Sequence, residues 1–460
     1  MEWAMPDQAP AQWLSNSLIV SKYREKTPGS EKLARQAADL FPSGLTHDSR
    51  YLEPYSLYVE RAQGSHKWDV DGNEYVDFAL GDTAAMAGHA PAALTRAIAA
   101  QLELGATTML PSEAAIEAAE ELTRRFGLPL WQLCLTATDA NRFALRIARA
   151  VTKRPKILVH NWCYHGTVDE TFAVVDPRAT AGEAIARPGN LGPQVDPATT
   201  TRVVEINDLA ATEAALATGD VAAILVEPAL TNIGIVRPDP GYHAALRALA
   251  TKYGALLIVD ETHTISLGPG GATATWSLRP DAIVIGKAIA GGMPGAAYGM
   301  NAQLAERVGA ATNLDEIDTG GIGGTVSGNV LSAVAIRATL GEVLTDAAFP
   351  GMVAGAERWA DGVEEVLQRR SLGWSVARLG ARAEYHFAPE NPRNGGEAAA
   401  AVDHELERYL HLHALVRGIV ITPFHNMALF SPATPADAGA RHAEAFDAAV
   451  AALQDSGALR

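Results

Sequence analysis

Three apolar runs in this chain end on side chains that can do chemistry. VAAILVEP (221–228) reaches Glu227, ALLIVDE (255–261) reaches Asp260 and Glu261, and AIVIGK (282–287) reaches Lys287. A buried run that stops on a carboxylate calls for a cation to face it, because an unpaired buried charge is costly. The AIAGGMPGAAYG stretch after Lys287 reads as flexible, so the lysine belongs to a cleft more than to a solvated face. An amine held in a cleft is a nucleophile toward an aldehyde. Asp260, 27 positions earlier, suits the partner of a cationic ring. Glu227 is less specific, since Glu-Pro at a strand end also makes a plain turn.

The elements that must carry these groups are legible as periodicity. KILVH (156–160) and the three runs above are short and apolar throughout, and amphipathic stretches such as AALTRAIAAQLELG and EAAIEAAEELTRRFG alternate with them. That pattern predicts an α/β fold: a mostly parallel sheet flanked by helices, with ligands at the carboxyl ends of its strands. Upstream, LYVERAQGSHKWDVDGNEYVDF alternates around Gly64 and the Asp71-Gly72-Asn73 turn, as short antiparallel strands do. The final third, from about Leu344, predicts a smaller α+β lobe. It contains the helix MVAGAERWADGVEEVLQRR, strand-like WSVARL and AEYHFA, then helix, strand and helix. Three segments follow: an N-terminal arm and small-domain segment over 1–80, a large domain over 81–343, and a C-terminal small domain over 344–460.

One cofactor meets the demands of Lys287 and Asp260 together. Pyridoxal 5′-phosphate (PLP) has an aldehyde for the lysine and a pyridine nitrogen that stays protonated opposite a buried carboxylate. Its phosphate needs donors, and LTATDANRFALRIARAV (135–151) offers them. Thr136 and Thr138 precede a helix whose apolar positions 140, 143, 144, 147, 148 and 151 recur at helical spacing. The free N–H groups and dipole at such a start favour a phosphate dianion.

Composition excludes other classes. The 460 residues carry 37 basic and 53 acidic side chains, a net charge of −16 that disfavours nucleic acid and anionic membrane surfaces as partners. Two cysteines, Cys134 and Cys163, form no C-x-x-C pair, so neither a disulfide framework nor a thiolate metal site is expected. The N-terminal stretch lacks a basic leader with an apolar core, and no run reaches the roughly 18 apolar residues of a membrane span. A cytoplasmic protein is expected. GGIGG (320–324) follows an acidic loop rather than a strand, which argues against a dinucleotide fingerprint, and no Gly-x-Ser-x-Gly elbow occurs. His411 and His413, in DHELERYLHLHALVRG, fall on different helical faces and read with His404 as solvated or packed, not as metal ligands.

The motifs TATDAN, CYHG, VEP, IVDE, IGKAIAGGMPG and GGTVSGN, in that order, resemble the class III (ω-type) PLP-dependent aminotransferases of fold type I across nearly the whole chain. FPSGLTHDSRYLEPYSLYVERAQGSHKWDVDGNEYVDF is most similar to the branch holding glutamate-1-semialdehyde aminomutase and D-phenylglycine or β-amino-acid aminotransferases. The resemblance implies Lys287 as the lysine that links to PLP and Asp260 as the partner of its ring nitrogen. It implies Ala137 and Thr138 at the phosphate, Tyr164 and Thr262 on the two ring faces, and Glu227 supporting the group around Asp260. Thr325 would reach the other subunit's phosphate across a homodimer interface. Arg50 matches the position that holds a substrate carboxylate, and a bidentate guanidinium suits that task. Trp162 and Phe424, with the loops near Leu52 to Tyr58 and Asp82 to Met86, would shape the substrate pocket. The chain departs from the family where Ala137 stands for a glycine, Thr262 for a valine, and Phe424 for an arginine that several relatives carry.

The expected activity is transfer of an amino group from a primary amine or amino acid to a keto acid or aldehyde by a ping-pong route. An aminomutase or racemase on the same scaffold is the alternative, and a catalytically silent PLP-fold binding protein is a third reading.

Overall fold

The apolar runs become neighbouring strands. A computed structural model describes residues 18–46, 52–178, 181–190, 196–311 and 321–459. The alternating stretch near the N-terminus forms β1 (Val59–Gln63), β2 (His66–Asp69) and β3 (Glu74–Asp77), paired antiparallel in that order. The central strands are β4 (Leu130–Cys134), β5 (Lys156–His160), β8 (Thr201–Val204), β9 (Val221–Val226), β10 (Leu256–Asp260), β11 (Ala282–Ile285) and β12 (Ala296–Met300), with β6 (Ala173–Val175) and β7 (Ala184–Ala186) as a separate small ribbon.

The seven-stranded sheet has the order β4-β12-β11-β10-β9-β5-β8. Strands β8, β5, β9, β10 and β11 pair parallel, and β12 runs antiparallel to both β11 and β4. Every residue of β9, β10 and β11 is buried, so both faces of the sheet centre are covered. Each Val, Ile or Leu buried there contributes roughly 1.5–3 kcal/mol, which is why these segments dispense with polar alternation.

Part of the stretch expected to be flexible after Lys287 is instead ordered. It makes a 3₁₀ turn over Lys287–Ala290 and then enters β12, which is entirely buried. Glycine hides this strand from a propensity reading. A Cβ on Gly299 would stand 2.7 Å from the Trp131 ring of the neighbouring strand, so that position requires a bare backbone.

The N-terminal arm forms helices over Leu18–Lys26 and Pro28–Ala38. The C-terminal lobe contains β13 (Ser375–Arg378), β14 (Arg382–His386), β15 (Ile419–Val420) and β16 (Met427–Leu429), with helices over Phe349–Arg369, His404–Val416 and Ala438–Asp455. β13, β14 and β16 form an antiparallel sheet, while β15 pairs parallel with β3 through Ile419 and Val76. The chain's early strands therefore join its last third. On β14, Tyr385 turns toward Trp359, Trp374 and Phe446, packing the strand against the two long helices. The period of two then sends Arg382, Glu384 and His386 to the opposite face. His411 and His413 lie on a helix buried on most sides, so both are packed although they leave it in different directions.

Candidate active site

Strands β9, β10 and β11 deliver Glu227, Asp260 and Lys287 to one edge of the sheet, where these residues line a single cavity of about 340 Å³. Ala137, Thr138, Tyr164 and Thr262 line it too. With Thr136, which also lines it, eight of the side chains named from the sequence are thus brought together. Thr325 is exposed in a glycine-rich turn and does not line this cavity. Trp162 is half-buried, with the Arg187 guanidinium 5.6 Å from its ring centroid. Phe424 is 42% exposed, edge-on to His425 at 5.0 Å, and neither aromatic lines the cavity. Arg50 lies outside the described residues.

The wall formed by Thr136–Thr138 follows from helix capping. Thr136 Oγ1 accepts from the Asp139 N–H at 3.1 Å and Asp139 Oδ2 accepts from the Thr136 N–H at 3.2 Å, a reciprocal box that starts the Ala137–Thr152 helix. Ala137 is the first helical residue, so the alanine that stands in place of the expected glycine is compatible with its backbone. Of the first-turn N–H groups, that of Asp139 is taken by the cap, and those of Ala137 and Thr138 can bind an anion. Thr138 Oγ1 accepts from the Thr167 N–H at 3.0 Å, and Gly166 (φ +75) passes so close that a Cβ there would stand 2.1 Å from that oxygen.

The opening pair of carboxylates divides its labour. Glu261 turns away from the cavity and accepts from the Ala272 N–H at 3.0 Å, tying β10 to the next short helix. Asp260 faces the cavity, with Oδ2 accepting from Asn141 Nδ2 and His165 Nδ1, both at 2.9 Å, and Oδ1 from the Thr262 N–H at 3.1 Å. Burial would raise its pKa, but the hydrogen bond and charge of His165 outweigh burial and hold the carboxyl below the usual range. An ionised acid is what a ring cation requires. Burial raises Glu227, partly offset by His165 and Thr231. Glu227 Oε1 accepts from the Tyr164 N–H at 3.1 Å and Oε2 from the Thr231 hydroxyl at 2.5 Å, so Glu227 fixes the backbone that carries Tyr164.

Lys287 Nζ donates to Asp82 Oδ2 at 2.5 Å and lies 2.8 Å from His263 Nε2. Burial opposes ionisation of Asp82, yet the cationic groups near it, Lys287 ahead of Arg382 and His425, hold its carboxyl far below the usual range. Lys287 (φ +49), Asp82 (φ +50) and Thr83 (φ +80) all adopt left-handed backbone. For a β-branched residue such as Thr83 this is a true outlier, costing of order 1–3 kcal/mol, and such strain concentrates at functional sites. His263 and Arg382 were not identified as site residues from the sequence, and the loop carrying Asp82 and Thr83 was expected only to shape the substrate pocket. His263 had a local signal, standing next to Thr262 in DETHT; Arg382 had only the alternation of RAEYH.

These residues fit PLP. The Thr262 hydroxyl is buried on the cavity without a hydrogen-bond partner, the Gly166–Thr138 cradle has no room for another side chain, and an ionised acid and a lysine share one wall. Fold and site together define a PLP-dependent transferase of fold type I. The chain belongs to the class III aminotransferase family, which it matches over residues 48–442, and its cofactor is PLP.

Among curated proteins it is 33% identical over 413 residues to a glutamate-1-semialdehyde 2,1-aminomutase of Anaeromyxobacter sp. (strain Fw109-5), covering 88% of this chain and 94% of that one. Among solved structures it is similar to a glutamate-1-semialdehyde aminomutase from Pseudomonas aeruginosa PAO1, with 45% identity, a TM-score of 0.91, and 95% and 97% of the two chains covered. A β-phenylalanine aminotransferase from Variovorax paradoxus matches at 25% identity and a TM-score of 0.83 over 96% and 97% of the chains. Among the described residues no helix is long and apolar enough to cross a membrane.

Proposed function

We propose that this protein is an aminotransferase that moves an amino group from a primary amine or amino acid to a keto acid or aldehyde in two half-reactions. The observation that carries this is the meeting of Lys287 and Asp260 on one cavity beside an open helix start. When bound, PLP supplies an aldehyde and an electron-accepting ring. The first-turn N–H groups with Thr138 hold its phosphate, Asp260 holds the proton at the ring nitrogen, and Tyr164 with Thr262 confine the ring. Lys287 Nζ takes the proton from the amine-bearing carbon of the substrate and returns it, acting as base and then acid.

An absorbance-monitored screen of amines and amino acids should find donors whose turnover requires an added keto acid or aldehyde. Turnover of a single amino substrate with no acceptor present would replace this reading by intramolecular amino transfer. That second reading is favoured by the 45% identity to a protein described as an aminomutase.

We also propose a homodimer in which Thr325 serves the other subunit's site. Its exposure in a turn outside its own cavity supports this. Sedimentation should give the mass of two chains, and a fully active monomer would rule it out. Cys134 and Cys163 are buried and unpaired, which supports a reducing compartment such as the cytoplasm.

A further inference from the structure

Behind Lys287 lies a chain of buried hydrogen bonds that family membership does not explain. His263 Nδ1 is 2.8 Å from Thr83 Oγ1 and 2.9 Å from Arg382 Nη2, and the same Arg382 nitrogen donates to Thr83 Oγ1. All three residues are buried, Thr83 and Arg382 completely. A guanidinium can only donate. Thr83, whose oxygen already accepts from Arg382, has its own O–H to give. Because Arg382 can only donate to it, Nδ1 is the acceptor, and the Thr83 O–H can point to it as well. A neutral ring must then carry its proton on Nε2, which points at Lys287 Nζ at 2.8 Å.

The ring is neutral because an accepting Nδ1 leaves the imidazole one proton, and burial, with Arg382 and His425 adding to it against the pull of Asp82, likewise pushes His263 well below its ordinary range. The titratable and charged groups that face it are Asp82 from the loop after β3, Lys287 from the turn after β11, Arg382 from β14, and His425, which pairs with Glu384.

An Nε2–H aimed at an amine has a use only if the amine offers a lone pair. Asp82, an ionised carboxylate, favours the ammonium, whereas His263 in this tautomer can bond only the amine and so opposes that pull. We propose that Arg382, acting through Thr83 and His263, is a positioning residue that selects the free-amine form of Lys287 and orients its lone pair. A lysine that has just taken a proton meets an N–H where it needs an acceptor, which drives the proton onward. The strained backbone of Asp82, Thr83 and Lys287 is what brings this network to one point. The inference rests on Lys287 as the reacting amine.

Cyanate, which carbamoylates only unprotonated amines, tests it on the full-length protein loaded with pyridoxamine 5′-phosphate, with Lys287 modification counted by mass spectrometry. Arg382→Met and His263→Phe should each slow labelling about tenfold near neutral pH, the equivalent of one hydrogen bond, while leaving labelling in alkaline solution unchanged. His263→Gln, whose amide can accept from Thr83 and donate to the lysine, should restore the wild-type rate. Wild-type labelling in both Arg382→Met and His263→Phe would overturn the proposal, as would a His263→Gln rate no better than that of His263→Phe. Failure of PLP to attach to Lys287 is a separate result: it would remove the proposed function, and the same labelling series on the cofactor-free protein would still report the network.

Discussion

Replacing Lys287 with alanine should abolish turnover, lowering it by at least about 10²- to 10⁴-fold, the usual worth of a positioned acid–base group. The loss should be larger than for any neighbour, because the same nitrogen is asked both to link to the cofactor and to move the proton. Among the described residues no other lysine lines the cavity. Borohydride reduction followed by mass spectrometry should find the cofactor on the Lys287 peptide of the wild type and on no peptide of the variant. Asp82 would lose its 2.5 Å partner, but His263 and Arg382 remain beside it, so the fold should persist and circular dichroism should be unchanged. A yellow, fully active Lys287→Ala protein would show that the catalytic amine lies elsewhere.

What could be seen in the sequence was set by how far each contact runs along the chain. Strands buried on both faces need no polar alternation, so 156–160, 221–226, 256–260 and 282–285 stood out as unbroken apolar runs, and the residues that end three of them inherit that legibility. The Thr136–Asp139 cap was equally local. β12 was not legible, because Gly299 is required by the Trp131 ring across the sheet, a contact made 168 positions away. The lysine's surroundings are the extreme case. Asp82 reaches Lys287 across 205 positions, and Arg382 reaches Thr83 across 299, from a strand of the other lobe. Periodicity can say that Arg382, Glu384 and His386 share a face, but only the docking of β14 against the β3 loop says what that face meets. The odd residues of DETHT and RAEYH were visible one by one, and their conjunction was not.

Asp260→Asn should separate the chemistry of the acid from its packing. The amide keeps the shape, so Thr262 and Asn141 retain a neighbour, but the ring nitrogen loses its counter-charge and turnover should fall by about 10²–10⁴-fold. Stability should fall as well. Burial opposes a charge on His165, while Cys163 and Asp260 overcome that opposition and raise it, so the variant leaves a buried imidazolium without its carboxylate, a loss of about 3–5 kcal/mol. The pH dependence fixes the sign. Asp260 has a folded pKa below its unfolded value of about 3.9, so its contribution is present above that value and is lost as pH falls through the folded pKa. His165 is raised, so its contribution is complete below an unfolded value of about 6.5 and is lost as pH rises through the folded one. The wild type should therefore gain most from this pair between roughly pH 4 and 6.5. Denaturant unfolding across that range should show the stability gap between wild type and Asp260→Asn widest there and narrowing toward both acid and alkali. A gap that stayed constant with pH would mean that the buried pair is not ionic, and Asp260 would then lack the charge that a protonated ring requires.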